Sequence, residues 1–474
     1  MNRRMLKTAA GGLLALPLMA GAETDSRPNV IVIFTDDIGV NDLSSKEHRT
    51  AVCTPNLQRI ANNGITFSEG YASASMCTPS RVGMLSGRCP SRFGVYDVSG
   101  DAMFTWPKEQ MILPQYFKQA GYRTALIGKW HCGGDVEEWA YNHPLERGFD
   151  RFWGFMGSTH DYFDARVGSG FNGAGYTSCG YNPVYDQRKP VDKLTYLTDD
   201  INREALQFVR DSKGSPFFLY LAHHTIHVPL QLPKAKYDEY APLGYGKNTT
   251  ITRATIDIMD EGIGKILDEL EQQGTLENTL IIYSSDNGGG ERSGGLNDIY
   301  RGGKFYGLEG GLRVPLLMSW PKHLPRGAVY GYPVCNIDFL PTALAAAGIA
   351  PQGELDGVNL LPFLRAENRF VPHSELFWRL PGDSFAVRSG DWKLVYTKLG
   401  QGLFNLSNDP FEATDLRSQH PEIAARLQQA YDLWNKGNIP SLWTPEHSRK
   451  YYQRKKSDNP LENQVYRYSG NFGE

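Results

Sequence analysis

The chain has 474 residues, 41% hydrophobic and 21% charged, with 49 Lys and Arg against 52 Asp and Glu. That length exceeds one ordinary core, so two domains or one large domain with an appendage are expected. The slightly acidic balance excludes a global basic field for nucleic acid, so any anion specificity must be local.

The N-terminus reads as an export signal. Arg3, Arg4 and Lys7 precede the apolar run TAAGGLLALPLMA, and Ala20-Gly21-Ala22 fits a small-residue cleavage site. The run is too short to cross a bilayer, and no later stretch is long and apolar enough. The expectation is a signal peptide over residues 1–22, a periplasmic or secreted protein, and no membrane insertion.

Next comes NVIVIFTDD, a continuous apolar run that ends on Asp36 and Asp37. Three further runs behave alike: YRTALIGKWH ends on Lys129 and His131, PFFLYLAHH on His223 and His224, and TLIIYSSDNGGG on Asp286 and Asn287. Continuous rather than alternating apolar residues fit strands buried on both faces. Helical patterns lie between them, at NLQRIANNG with Leu57 and Ile60 inward, at LTDDINREALQFVRDS, and at the long ITRATIDIMDEGIGKILDELEQQG that stops at Gly274. The fold class is therefore α/β, a large, mainly parallel sheet sandwiched by helices.

After about residue 370 the texture changes. SFAVRSGDWKLVYT and GLFNLSND read as short antiparallel strands with turns at Ser389-Gly390-Asp391 and Asn408-Asp409-Pro410. The amphipathic PEIAARLQQAYDLWNKG follows, then a polar, aromatic-rich tail from Ile439. The expected division is 23–370 for the main domain and 371–474 for a smaller one of antiparallel sheet plus helix.

In open α/β sheets ligands bind beyond the carboxyl ends of the strands. Asp36-Asp37, Lys129 and His131, His227 just past its run, and Asp286-Asn287 would all meet there. Singly, each has a structural alternative: Asp-Asp as a helix cap, Asp-Asn-Gly as a turn. Their agreement is what marks a site. His223 and His224 have no such anchor and are assigned to structure.

Six cysteines give no metal knuckle and no CxxC pair, and export would permit disulfides without revealing their pairing. The triplet Cys-Thr-Pro occurs at Cys53 and again at Cys77. The first leads into an ordinary helix. The second leads into Pro79, Arg81, Leu85, Gly87 and Arg88, with Thr78-Pro79 placed like a helix start. Cys77 then sits at the positive end of a helix, with Arg81 one turn on, which makes an anion site around a reactive residue.

CTPSRVGMLSGR resembles the signature C-x-P-S-R-x-x-x-L-x-x-G-R of the formylglycine-dependent (type I) sulfatases of the alkaline phosphatase superfamily. PNVIVIFTDDIG, GYRTALIGKWH, HVPLQLP, YSSDNGG, RGGKFYGLEGGLRVP, DGVNLLPFL, AVRSGDWKLV and LFNLSNDPFEATDL resemble family blocks in family order, over most of residues 28–416. STHDYF is similar to the N-acetylgalactosamine sulfatase branch.

The resemblance implies an alkaline phosphatase-like fold and a sulfuric ester hydrolase. It implies that a maturation enzyme oxidises Cys77 to formylglycine (3-oxoalanine). One hydroxyl of the hydrated aldehyde attacks sulfur and the other helps to expel sulfate. Asp36, Asp37, Asp286 and Asn287, with the modified Cys77, would hold a cation. Hard oxygen donors suit Ca²⁺, with Mg²⁺ the second choice, and argue against zinc. Arg81 would hold the formylglycine hydroxyls, Lys129 and Lys304 the sulfate oxygens. His131 would take the proton that lets sulfate leave, and His227 would protonate the leaving oxygen, with or without Lys304.

An exported sulfatase points to sulfated carbohydrate. Its selectivity should lie in the loops GSTHDYFDARVGSGFNGAGYTSCGYNP, GGGERSGGLNDIYRGG and FWRLPGDSF, with His160, Asp161 and Arg379 as sugar-binding candidates. The alternatives are a phosphomonoester or phosphonate hydrolase of the same superfamily, a cysteine phosphatase, and a non-catalytic binder of sulfated glycans. The short gap from Cys77 to Arg81 disfavours the phosphatase, and the full set of acid, base and nucleophile candidates disfavours the binder.

Overall fold

Strand β1 (Asn29–Thr35) shows why the apolar runs are continuous. Val30, Val32 and Phe34 enter one core and Ile31 and Ile33 the other, so neither face of the strand meets water. The computed structural model describes residues 27–43, 54–98, 105–134, 137–171, 176–398, 400–443 and 472–473. The expected signal peptide, Cys53 and most of the polar tail lie outside the described residues.

Ten strands form the main sheet. After β1 come β2 (Gly64–Phe67), β3 (Arg123–Lys129), β4 (Arg151–Phe155), β5 (Tyr185–Asp186), β6 (Lys189–Pro190), β7 (Phe217–Ala222), β8 (Thr279–Ser285), β9 (Leu316–Ser319) and β10 (Ala328–Tyr330). Their order is β10-β2-β9-β8-β1-β7-β3-β4-β5-β6. The central run β8-β1-β7-β3-β4 is parallel throughout. Antiparallel pairs at β8–β9, β9–β2, β4–β5 and β5–β6 flank it. All four runs singled out in the sequence are thus neighbouring central strands.

Helices cover both faces, as expected. On one side pack α1 (Pro55–Asn62), α4 (Leu197–Asp211) and α5 (Lys247–Gln272). On the other pack α2 (Cys77–Ser86), α3 (Leu113–Gln119) and α6 (Phe339–Ala346). Helix α2 starts earlier than Thr78-Pro79 suggests. Met76 is its extended N-cap and Cys77 its first residue, so Pro79 is the third. Proline fits there because the first-turn N–H groups have no intrahelical partner anyway.

Beyond the main sheet, β11 (Glu375–Arg379), β12 (Phe385–Ser389), β13 (Trp392–Thr397) and β14 (Gly400–Asn405) form an antiparallel meander, followed by α7 (Pro421–Asn435). Trp378, Ala386, Val395 and Phe404 share a core with Tyr71, Leu308 and Leu312 of the main body. Phe385, Val387, Leu394 and Leu403 pack with Leu427 and Tyr431 of α7. The junction is also ionic: the fully buried Lys393 ammonium lies 2.8 Å from Glu309 and 3.0 Å from Glu412. Among the described residues no helix is long and apolar enough to cross a membrane.

Candidate active site

The strand ends are stitched together before any side chain is considered. The Asp286 N–H donates to Thr35 O at 3.0 Å and the Asp36 N–H to Thr225 O at 2.9 Å. At Gly128, whose φ is +113°, an added Cβ would lie 2.0 Å from Ala222 O. Glycine there lets β3 lie against β7 and brings Lys129 over Asp36.

Asp36 is held from two sides. Lys129 Nζ lies 2.6 Å from its Oδ2 and His224 Nδ1 lies 3.3 Å from the same oxygen. Its Oδ1 is 3.5 Å from Cys77 Sγ. Burial alone would raise this carboxyl, but Lys129, with His227 and Arg81 assisting, holds it well below the usual range. Asp37 sits at φ +65°. Its Oδ1 receives Lys304 Nζ and Asn287 Nδ2, each at 2.8 Å, and its Oδ2 receives Ser293 Oγ at 3.1 Å. Here too burial works upward and Lys304 more than offsets it, so Asp37 stays a carboxylate. Asp286 differs: burial and the neighbouring Asp36 push it to about 6 despite Arg81.

His227 places Nδ1 3.0 Å from Val228 O and Nε2 3.8 Å from Asp37 Oδ2. A carbonyl only accepts, so the proton sits on Nδ1 and Nε2 is turned inward. Burial and the Lys304 charge lower this imidazole to about 4. The Cys77 thiol is pushed up by burial and by Asp286. It therefore stays protonated and is a poor thiolate ligand or nucleophile in the unmodified chain.

These groups border a cavity of about 470 Å³ lined by Asp37, Cys77, His131, His227 and Lys304. Asp36, Arg81, Lys129, Asp286 and Asn287 lie directly behind them, all buried. The structure thus brings every predicted metal and sulfate residue into one cluster. Donor atoms of Asp36, Asp37, Cys77 and His227 lie within 4.8 Å of one another, a spacing one cation could bridge. Asn287 Oδ1 is buried and accepts no hydrogen bond among the described residues, as a carbonyl oxygen kept for a cation would be.

The three sugar candidates fall elsewhere. Asp161 receives the N–H groups of Phe163 and Asp164 and the amide of Gln231, and closes a turn. The His160 ring is buried against Phe155, with Nδ1 2.7 Å from Asp161 O. Arg379 donates to Asn435 and lies over Tyr96. None of the three lines the cavity. The neighbouring Ser158 and Thr159 do, as do Glu291 and Arg292 of the second expected loop, so the loops were better chosen than the residues.

His224 is the residue that sequence reasoning passed over. The His160 N–H lies 3.3 Å from its Nε2, which makes Nε2 an acceptor and leaves the proton on Nδ1, facing Asp36. His224 follows β7, and its role rests on the pairing of β7 with β1, the strand before Asp36, which the sequence does not show. Nothing in the sequence marked Ser293.

Residues 28–349 match the sulfatase family, and residues 303–435 match the C-terminal region of N-sulphoglucosamine sulphohydrolase. Arylsulfatase A of Bos taurus is 31% identical over 465 residues, spanning 88% of this chain and 89% of that protein. The N-acetylgalactosamine-6-sulfatase of Homo sapiens is 32% identical over 380 residues, spanning 76% and 70%. Among solved structures, Ps i-CgsB superposes with a TM-score of 0.80 at 29% identity, covering 92% of this chain and 99% of that one. Its complex with k-i-k-neocarrahexaose gives 0.79 over the same shares.

Proposed function

The chain belongs to the sulfatase family and is a sulfuric ester hydrolase, and from that premise we propose that it releases sulfate from a sulfated carbohydrate, with a formylglycine made from Cys77 beside a calcium ion. The observation that carries the reading is the meeting of Cys77, at a helix N-terminus, with three carboxylates and the Lys129 and Lys304 ammonium groups around one cavity. The similarity to Ps i-CgsB, solved with a neocarrahexaose, supports the carbohydrate class.

Asp36, Asp37, Asp286 and Asn287 fit a hard cation. Oxidation of Cys77 to formylglycine would remove the soft sulfur donor that would favour zinc. When present, the formylglycine hydrate supplies the nucleophile, and calcium stabilises charge on the sulfate oxygens. The chain's own groups do the rest. Lys129 and Lys304 grip sulfate as point charges. Arg81, anchored on Asp286 one turn after Cys77 in α2, orients residue 77. His131 is the base that lets sulfate leave. His227, expected from the sequence to be the acid, has its proton on Nδ1 and none on the inward Nε2, so proton delivery to the sugar oxygen falls to Lys304. With the imidazole held neutral, Lys304 is the one that carries a proton at neutral pH. The proposal requires export, through the segment 1–22, and a formylglycine-generating enzyme as maturation partner.

The test follows sulfate release from a panel of sulfated oligosaccharides, against matched phosphate esters, with and without EDTA. Mass spectrometry of the Cys77 peptide runs beside it. Turnover should track the formylglycine fraction and fall with EDTA. High turnover from fully unmodified thiol would sink the mechanism, and faster phosphate release would favour a phosphoester hydrolase.

A further inference from the structure

Next to the sulfate-gripping Lys304, the cavity wall carries an aromatic side chain in an improbable position. Phe305 has φ +79° and is 57% exposed. A bulky residue is strained in that region, and glycine would occupy it freely. Three backbone hydrogen bonds impose the conformation: Lys304 N–H to Gly289 O at 3.2 Å, Phe305 N–H to Ser75 O at 2.8 Å, and Tyr306 N–H to Gly303 O at 3.0 Å. The chain thus holds an apolar ring in solvent, at a strained position, with its backbone tied to Ser75, two residues before Cys77. Neither burial nor backbone preference accounts for phenylalanine there, and strain of this kind gathers at ligand-binding positions.

The location supplies the reason. Lys304 Nζ lies 5.7 Å from the centre of the Phe305 ring and 2.8 Å from Asp37. Phe305 and Tyr306 line the same cavity as Cys77, with the polar Ser158, Thr159 and Glu291 on its wall. The ring therefore stands beside the ammonium proposed to grip sulfate. A pyranose has an apolar C–H face that settles on an aromatic ring, while its hydroxyls take hydrogen bonds at the edge.

Building on the carbohydrate reading above, we infer that Phe305 is the stacking platform for the sulfated pyranose and sets the enzyme's affinity for sugar as opposed to sulfate. The bare loop strain and the exposed ring are then two sides of one binding device.

Three variants of the matured, calcium-loaded enzyme test this. Phe305→Leu keeps the Cβ and the strain but removes the π face. Phe305→Trp keeps a face. Phe305→Gly relieves the strain. KM for a sulfated oligosaccharide should rise about tenfold in the Leu and Gly variants and stay near wild type in the Trp variant, while the inhibition constant of inorganic sulfate moves by less than about twofold. The Gly variant should also melt at or above the wild-type temperature. An unchanged KM in both the Leu and Gly variants overturns the inference. So does a sulfate inhibition constant that rises in step with KM, since Phe305 would then act only by holding Lys304. If wild-type enzyme cleaves aryl sulfates but no saccharide, the carbohydrate reading falls and takes this one with it. If wild type and the variants cleave saccharides equally well, only the Phe305 assignment falls.

Discussion

Arg81 donates two nitrogens to a single oxygen of Asp286, Nε at 3.0 Å and Nη2 at 2.8 Å from Oδ2, and neither side chain is exposed to solvent. Its Nη1 reaches Lys129 O at 3.3 Å and the Tyr220 hydroxyl at 3.2 Å. One guanidinium therefore joins helix α2 to β3, β7 and the end of β8, while Asp286 Oδ1 takes the Asp37 N–H at 3.4 Å.

Removing Arg81 strands a buried carboxylate. Arg81→Met should cost about 3–5 kcal/mol of stability, and pairing it with Asp286→Asn should recover much of that, because the uncompensated charge goes too. Denaturation of the single and double variants measures the coupling. Both should be nearly inactive. Strictly additive stability losses would show that the pair is not the interaction it looks like.

Calcium should stabilise the fold it binds. At a hundredfold excess over Kd the gain is about 2.7 kcal/mol, read as a rise in Tm. Asn287→Ala changes no charge but deletes the unpartnered Oδ1. It should reduce the calcium-induced shift, while the metal-free Tm falls separately because the buried Nδ2 hydrogen bonds to Asp37 and Gly288 O are lost, so the shift is read against each variant's own metal-free Tm. An equal shift in wild type and Asn287→Ala would remove Asn287 from the ligand set.

How much of this was legible beforehand depends on distance along the chain. The α/β class and the four strand ends could be read because burial on both faces forces continuous apolar runs, and because parallel strands deliver their ends to one edge. Most of the proposed metal and sulfate residues sit on or just past such an end or in the Cys77 motif, whereas Lys304 lies on neither and is legible only through the resemblance of RGGKFYGLEGGLRVP to a family block. His224 was missed because its role comes from the β1–β7 pairing, which spans 188 residues between Asp36 and His224. His160, Asp161 and Arg379 were chosen for their chemistry. Only the folded loops show that the Asp161 carboxylate is already engaged by Phe163, Asp164 and Gln231. The strain at Phe305 has no sequence signature at all.

Buried histidines should make the protein acid-sensitive. Burial alone lowers His223 to about 3, and burial dominates at His227, near 4. These folded values lie below the ordinary 6.5, so the unfolded chain binds more protons between the two. Stability is therefore full above about pH 6.5 and falls as pH drops toward the folded values, by about 1.4 kcal/mol per pH unit for each such histidine. His223→Gln should flatten the stability–pH curve between pH 6 and 4 by about that slope, whatever its effect at neutral pH. An unchanged slope would mean that His223 is already charged in the fold.

The last prediction concerns the junction with the C-terminal sheet. Lys393 on β13 lies between Glu309 and Glu412, with Lys393 and both carboxylates fully buried. The Glu309 N–H donates to Glu412 Oε2 at 2.6 Å, and Arg301 Nη1 donates to Glu412 O at 3.1 Å. Arg301 and Glu309 bracket the loop that carries Lys304 and Phe305. Lys393→Met would leave buried Glu412 without its cation, although Arg313 Nη1 would still hold Glu309 at 3.1 Å, and should cost about 3 kcal/mol of stability. Because the same pair anchors the loop from both ends, the effect should also reach the cavity, although Lys393 does not line it. The inhibition constant of inorganic sulfate should rise and kcat/KM should fall in the fraction that remains folded. Lys393→Arg, which keeps the charge with a larger head group, should recover part of both. If Lys393→Met lowers stability while sulfate inhibition and turnover of the folded enzyme stay at wild-type values, the C-terminal sheet supports the fold without positioning Lys304.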